Sequence, residues 1–196
     1  MSWSLPANRY DEIRSAVADL IEDWGITVYP FSIWSLLRKM GISTIPYSAL
    51  PEKTKMSLVK NYPDALTIYP SDFNPCRTTI YYNDETCDRD RIRFTLAHEL
   101  GHLILMHPDS DEDAYEHEAD IFANYFLAPA PLILEFSSIE YSVVSIDFAV
   151  SYGCARSACD RAAKRRRFGS TSQTEYEQRI LNACALEKGG GQLALV

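Results

Sequence analysis

Apolar residues recur at helical spacing in several blocks of the chain and alternate as in strands in others, with glycine and proline marking the joins. In residues 11–24, Ile13, Val17, Leu20 and Ile21 share one helical face and Gly25 supplies a stop. Residues 31–40 repeat the pattern after Pro30 and stop at Gly41. Residues 42–45 predict a short strand before Pro46. Residues 65–69 and 78–82, rich in β-branched and aromatic types and bounded by Pro, Asn and Asp, predict two strands of a small antiparallel sheet. From Asp88 the period turns helical again: Ile92, Leu96, Leu100, Leu103 and Ile104 carry a helix expected to end near His107, before Pro108. A second helix is predicted from about Asp113 to Leu127, stopped by Pro129 and Pro131. Helical segments continue to about Phe168, and residues 174–186 form a last amphipathic stretch. The fold class this implies is α+β, with a small, mainly antiparallel sheet against helices and a helical C-terminal region. A division at 137/138 separates that region, 138–188, from the preceding domain, 1–137. Residues 189–196, opening with three glycines, read as a loose tail.

Bulk properties narrow the classes. The 196 residues, 46% hydrophobic and 23% charged, suit a soluble globular domain rather than a disordered chain. No apolar run reaches the roughly 18 residues that a membrane span needs. Residues 1–10 lack a basic segment followed by an apolar core, so the expected setting is cytoplasmic. Five cysteines, with no CxxC pair, argue for reduced, mostly buried thiols rather than a disulfide framework or a thiolate zinc site. A net charge of −8 argues against a whole-surface nucleic-acid binder.

All four histidines, His98, His102, His107 and His117, fall within twenty residues. His98-Glu99-Leu100-Gly101-His102 is an HExxH motif, and chance gives one in a chain of this composition with a probability of about half a percent. Four residues along a helix return to one face, so both imidazoles can meet one ion, zinc being the metal this motif suits. Glu99 is turned about 100° from His98, which sets its carboxylate beside an ion rather than on it, where it can act as general base toward water. Gly101 lets another segment approach closely. A catalytic zinc site requires a third protein ligand. His107 lies about 180° around the helix from His98 and is expected to face away, as a structural or helix-end residue. On the second helix Glu116 lies nearer the apolar face than Glu118 does, and Asp120, four residues on, comes inward with it. Glu116 is therefore the expected third ligand, in preference to Glu118, with Asp120 orienting a ligand imidazole.

The stretch Arg93-Phe-Thr-Leu-Ala-His-Glu-Leu-Gly-His-Leu-Ile-Leu-Met-His107, followed by Glu116-x-Glu-Ala-Asp-x-Phe-Ala-x-x-x-Leu-Ala-Pro129, resembles the ImmA/IrrE family of metallopeptidases. The resemblance implies a zincin-like fold for residues 1–137 and a cytosolic setting. It further implies cleavage of a helix-turn-helix transcriptional repressor, with His98, His102 and Glu116 as ligands and Glu99 as base. Ala128 departs from the methionine usual in that family, and Phe126 is bulkier than usual; neither touches the expected ligands.

A second signal lies near the C-terminus. Ala149 and Gly153 sit four apart, in a spacing like that of helix-turn-helix units. Residues 155–168 hold six basic side chains, among them Lys164, Arg165, Arg166 and Arg167, against Asp160, a local balance of +5. This cluster is expected to serve partner recognition, with direct DNA contact the less favoured form. The rival class is a regulatory protein that keeps a structural zinc and binds a repressor or DNA without cutting. Glu99 argues against it, because a structural site needs no base. For the peptidase, Thr79-Ile80-Tyr81-Tyr82 is the candidate substrate-pairing edge. Tyr81, Tyr82 and Tyr115 are all chemically able to complete an oxyanion site.

Overall fold

Gly25 and Gly41 stop the first two helices as their positions predict, each at positive φ (63° and 75°). In both turns the residue after the glycine donates its N–H back over the last helical turn, Ile26 to Ile21 and Ile42 to Leu37. The computed structural model of the chain describes residues 5–70, 77–85, 88–108, 112–169 and 172–187. The predicted tail, residues 189–196, and most of the acidic loop after Pro108 lie outside the described residues, as do Cys76 and Cys87.

The order of elements is α1 (Ala7–Asp23), β1 (Val28–Tyr29), α2 (Ile33–Lys39), β2 (Ser43–Pro46), a 3-10 turn (Tyr47–Ala49), α3 (Glu52–Asn61), β3 (Ala65–Ile68) and β4 (Thr79–Tyr82). There follow α4 (Arg89–Ile104), α5 (Asp113–Leu127), α6 (Ala130–Phe136), α7 (Tyr141–Phe148), α8 (Tyr152–Phe168), α9 (Glu175–Ala183) and β5 (Ala185–Leu186). The α+β class is as expected, but the three-stranded sheet is mixed. Its order is β2-β4-β3, with β3 antiparallel and β2 parallel to β4. Thr79-Ile80-Tyr81-Tyr82 is thus the central strand, and its Ile80 is fully buried. The expectation that it forms the substrate edge is wrong; the edges are β2 and β3. A second pair, β1 with β5, is parallel and ties the end of the described chain back to its beginning.

One hydrophobic cluster runs through the molecule. Ile13 and Ile21 of α1, Leu37 of α2, Leu96 and Leu100 of α4, Phe122 and Phe126 of α5, Phe148 of α7, Ala158 of α8 and Ile180 of α9 all belong to it. Residues on both sides of 137/138 contribute. No described helix is long and apolar enough to cross a membrane. Cys154, Cys159 and Cys184 are free and buried.

Two arginines, one buried and one half-buried, tie separate elements together. Arg93 of α4 is almost wholly buried, and its Nη1 donates to the carbonyls of Phe148 and Ala149, both at 2.6 Å, while Nη2 reaches the carbonyl of Phe31 at 3.2 Å. Those first two carbonyls lie at the C-terminal end of α7, where a cation is favoured. Burial brings the Arg93 guanidinium down to about 10, still charged at neutral pH. Arg165 of α8 grips Glu177 of α9 through Nε at 2.6 Å and Nη2 at 2.8 Å. The same carboxylate accepts from the Thr174 backbone N–H at 2.8 Å, closing a capping box at the start of α9.

Burial alone raises the Glu177 carboxyl, but Arg165 and the Thr174 N–H outweigh it and hold it below its ordinary value of 4.5. A depressed folded-state value means that the stabilisation is complete above that ordinary value and disappears as pH falls through the folded one. Glu177→Gln should therefore lower unfolding free energy at neutral pH by about 1.5–3 kcal/mol, the scale for bonds to charged groups. The difference from the parent should shrink on acidification below 4.5. Urea unfolding of both proteins across a pH series measures it, and a pH-independent difference contradicts the assignment.

Candidate metal centre

α4 begins with Asp88, whose side chain accepts from the Arg91 N–H at 2.8 Å, and it buries Leu96, Ala97, Leu100 and Gly101 toward the core. The opposite side of the same turns carries His98, Glu99 and His102. α5 lies across it at close range. A Cβ at Gly101 would stand 3.0 Å from Phe122 Cδ1 and 3.3 Å from the Ala119 Cα, so a side chain there would require its neighbours to give by a few tenths of an ångström. The close approach brings Glu116 and Asp120, one turn apart on α5, against the two histidines.

His98 Nε2 and His102 Nε2 are 3.0 Å apart. Glu116 Oε2 is 3.2 Å from the first and Oε1 is 3.4 Å from the second. Ligand atoms on a tetrahedral ion with bonds of about 2.0–2.1 Å stand about 3.3 Å from one another, so the spacing and chemistry of this donor set fit zinc. Among the described residues, this is the group of His, Cys, Asp and Glu side chains that can hold a metal ion. Glu118, the rejected candidate, points elsewhere. Asp120 Oδ1 meets His98 Nδ1 at 2.9 Å, the arrangement expected from its i, i+4 relation to Glu116.

Electrostatics separate the groups. Burial lowers the His98 imidazole, but the hydrogen bond with Asp120 and the neighbouring carboxylates outweigh it and leave it above its ordinary value. Burial, then His98 and His107, bring His102 down to about 4, so it is neutral at neutral pH, as a ligand must be. Burial lifts the Glu99 carboxyl above its ordinary value, against a hydrogen bond that Thr67 Oγ1 donates to Oε2. Thr67 belongs to β3, so the free edge of the sheet runs beside Glu99. Between that edge and the two helices lies an open cleft of about 550 Å³, lined by Thr67, Tyr69, Phe94, His98, Glu99 and Glu116 among others. Tyr62 and Tyr69 line it, whereas Tyr81, Tyr82 and Tyr115 do not.

His107 is, as expected, a helix-end residue outside the donor set, but its imidazole does not face away. α4 ends at Ile104, not near His107, and Met106 takes a left-handed φ of 55°. His107 N–H then donates back to the His102 carbonyl at 3.0 Å, and the chain reverses. The imidazole comes to rest behind the site, with Nδ1 3.0 Å from His102 Nδ1 and Nε2 3.0 Å from Glu118 Oε2. Glu118 in turn receives Arg9 of α1. Thr67, His107 and Arg9 went unread as site neighbours in the sequence.

In the C-terminal region, α7 and α8 are joined by a short turn through Ala149, at φ 49°, Val150 and Ser151. Of the four basic residues singled out there, Lys164, Arg166 and Arg167 are exposed, while Arg165 is held by Glu177. None lines the metal cleft.

A helix-borne HExxH with a glutamate from a second helix, beneath the edge of a small mixed sheet, defines a zincin-type metallopeptidase. The family model for the IrrE N-terminal-like domain, the M78 peptidases, matches residues 39–164, and the chain belongs to that family. None of the curated proteins compared with the sequence matches it. α1, and Arg9 with it, lies outside the matched residues.

The geometry separates the two glutamates of α5 in a measurable way. After gel filtration, the parent should retain about one equivalent of zinc and Glu116→Ala should retain almost none. Glu118→Ala, loaded at micromolar protein and metal, should still retain it. Retention by Glu116→Ala with loss in Glu118→Ala, read by elemental analysis, reverses the assignment.

Proposed function

We propose that the chain is a zinc endopeptidase that cuts an extended segment of a protein, with His98, His102 and Glu116 holding the ion and Glu99 as the base. The observation that carries this reading is Glu99 itself. It stands beside the three donors without joining them, is raised by burial, and is hydrogen-bonded to a residue of the free sheet edge. A bound zinc ion supplies Lewis-acid polarisation of the scissile carbonyl and acidifies water. The chain's residues supply the rest. Backbone groups of β3 pair with an extended substrate as an added strand, which carries the scissile bond past Thr67 and Glu99. Thr67 holds the Glu99 carboxylate in place. Glu99 takes the proton of the attacking water and returns it to the departing amide nitrogen.

The family resemblance points to a helix-turn-helix transcriptional repressor of a phage, mobile element or stress response as the protein cut. The buried free thiols Cys154, Cys159 and Cys184 suit a reducing, cytosolic setting. Glu99→Gln tests the chemistry. It should keep fold and zinc and lose peptide cleavage by at least about a hundredfold, the scale of a general base. Undiminished cleavage by the zinc-replete variant removes Glu99 from the mechanism and leaves a regulator that binds without cutting.

The exposed end of α8 is assigned to partner docking. Lys164, Arg166 and Arg167 are clustered, alike in charge and away from the cleft. Neutralising all three should slow association with a candidate repressor and leave cleavage of a short unstructured peptide unchanged. If the partner is DNA, the same change should flatten the salt dependence of DNA binding. A salt series for each partner separates the two, and a triple variant equal to the parent in both assays reduces the cluster to a solvated face.

A further inference from the structure

Behind the metal centre runs a chain of polar contacts that the peptidase chemistry does not itself require. Arg9 of α1 donates to both oxygens of Glu118, Nε to Oε1 at 2.8 Å and Nη2 to Oε2 at 2.5 Å. Glu118 Oε2 meets His107 Nε2 at 3.0 Å, and His107 Nδ1 meets His102 Nδ1 at 3.0 Å. The side chains of His107 and Glu118 are 2% and 9% exposed, so water has little access to replace either partner. The Tyr115 ring packs against His107, with centroids 4.8 Å apart and planes tilted by 34°.

We propose that Arg9 is a positioning residue of the metal centre, acting through Glu118 and His107 to hold His102 in the tautomer and orientation that present its Nε2 lone pair to an ion. The proposal rests on the reading of His102 as a ligand. Its logic follows from which atoms can donate. A carboxylate paired with arginine only accepts, so the His107 Nε2 facing it carries a hydrogen. In a neutral ring His107 Nδ1 is then a lone pair, and the hydrogen between the two imidazoles belongs to His102 Nδ1. That leaves His102 Nε2 without a hydrogen, on the side where His98 Nε2 and Glu116 converge. With the contact to His107 lost, nothing in this chain of bonds selects that tautomer. The two ligand histidines are thus oriented by different means. His98 is held directly by Asp120, on the same helix as Glu116, whereas His102 depends on a helix about ninety residues earlier in the chain and outside the family-matched segment.

The test measures zinc affinity of the full-length protein by competition with a chelator, for the parent, Arg9→Gln, Arg9→Lys, Glu118→Gln, His107→Ala and the double variant Arg9→Gln/Glu118→Gln. The proton position is read separately, in metal-free protein near neutral pH, from the nitrogen shifts of ¹⁵N-labelled histidine. Glu118→Gln and His107→Ala should weaken zinc binding by about 10–100-fold, the usual effect of removing a group behind a ligand. Arg9→Gln should weaken it by about tenfold, with Arg9→Lys between it and the parent, and the double variant should be no worse than Glu118→Gln, as members of one series. In the metal-free parent His102 should carry its hydrogen on Nδ1, and each weakened variant should show a growing Nε2–H share. Arg179→Gln, which cuts the ion pairs of α9 to Asp19 and Glu22 on α1, is the control for simple loosening of α1 and should leave zinc affinity unchanged. Because Arg9 lies at the surface end of the series, its variants decide the question even if His107→Ala does not fold. Parental zinc affinity and parental His102 tautomer in Arg9→Gln and Glu118→Gln overturn the proposal, as does an equal loss in Arg179→Gln. A parent chain that binds no zinc instead removes the ligand reading beneath the proposal. That failure is distinguishable, because the tautomer is read without metal.

Discussion

The site depends on how closely two helices can lie. The donors come from α4 and α5, and the distance from Glu116 to the imidazoles is set by the contact of Gly101 with Phe122 and Ala119. A side chain at Gly101 would press on the buried Phe122, and packed interiors respond to such insertion by small shifts of side chain and backbone. A shift of a few tenths of an ångström on that face changes the separation of the donors, which an ion tolerates poorly. The hydrophobic packing of Leu96, Leu100, Phe122 and Phe126 therefore does more than stabilise the fold, because it sets the dimensions of the metal centre.

Once α4 is fixed against α5, the remaining elements are ordered by what α4 offers on its other sides. Its Arg93 binds the carbonyls at the end of α7, which locates the turn into α8. Its Glu99 is bonded by Thr67, which places the free edge of β3 along the cleft. The turn after it folds His107 back against His102 and so reaches Glu118 and α1. α7 and the sheet are joined to the metal helix by direct polar contacts, and the N-terminal helix by a series through Glu118 and His107.

How much of this the sequence disclosed varied with the range of the interaction. HExxH was legible because both histidines lie on one turn of helix, and the choice of Glu116 over Glu118 followed from the periodicity of α5 alone. Helix stops at Gly25 and Gly41 were legible because glycine is the usual occupant of a left-handed cap. The same cap at the end of α4 is built on Met106, and nothing local marks it. Extending α4 to His107 followed, and with it the error about where that imidazole points. The parallel pairing of β2 with β4 spans strands far apart in the chain, and local alternation carries no information on strand order. α3 escaped notice for a different reason. It buries no residue, and Met56 on it is largely exposed, so it has no apolar face to read.

Formal charge is a poor guide to the surface of this protein, and the reason is physical. The run after Ala155 appears in the sequence as six cations against one acid, yet its members are differently employed. Arg161 is largely buried, and its Nη2 donates to the Asn124 carbonyl at 3.3 Å; burial brings it down to about 10, so it keeps its charge inside the fold. Arg165 is spent on Glu177. Only the remaining members, Arg156, Lys164, Arg166 and Arg167, are exposed. Asp160, also exposed, offsets part of their charge, so the field that a partner meets is weaker than the sequence suggests. The same holds in reverse at Glu118, which a sequence count adds to the acidic balance. Paired with Arg9, it contributes little to the outer field and instead faces inward, toward His107. Formal charge describes a surface only after the pairs made within the fold have been subtracted, and here those pairs are concentrated on the residues that hold the helices in place.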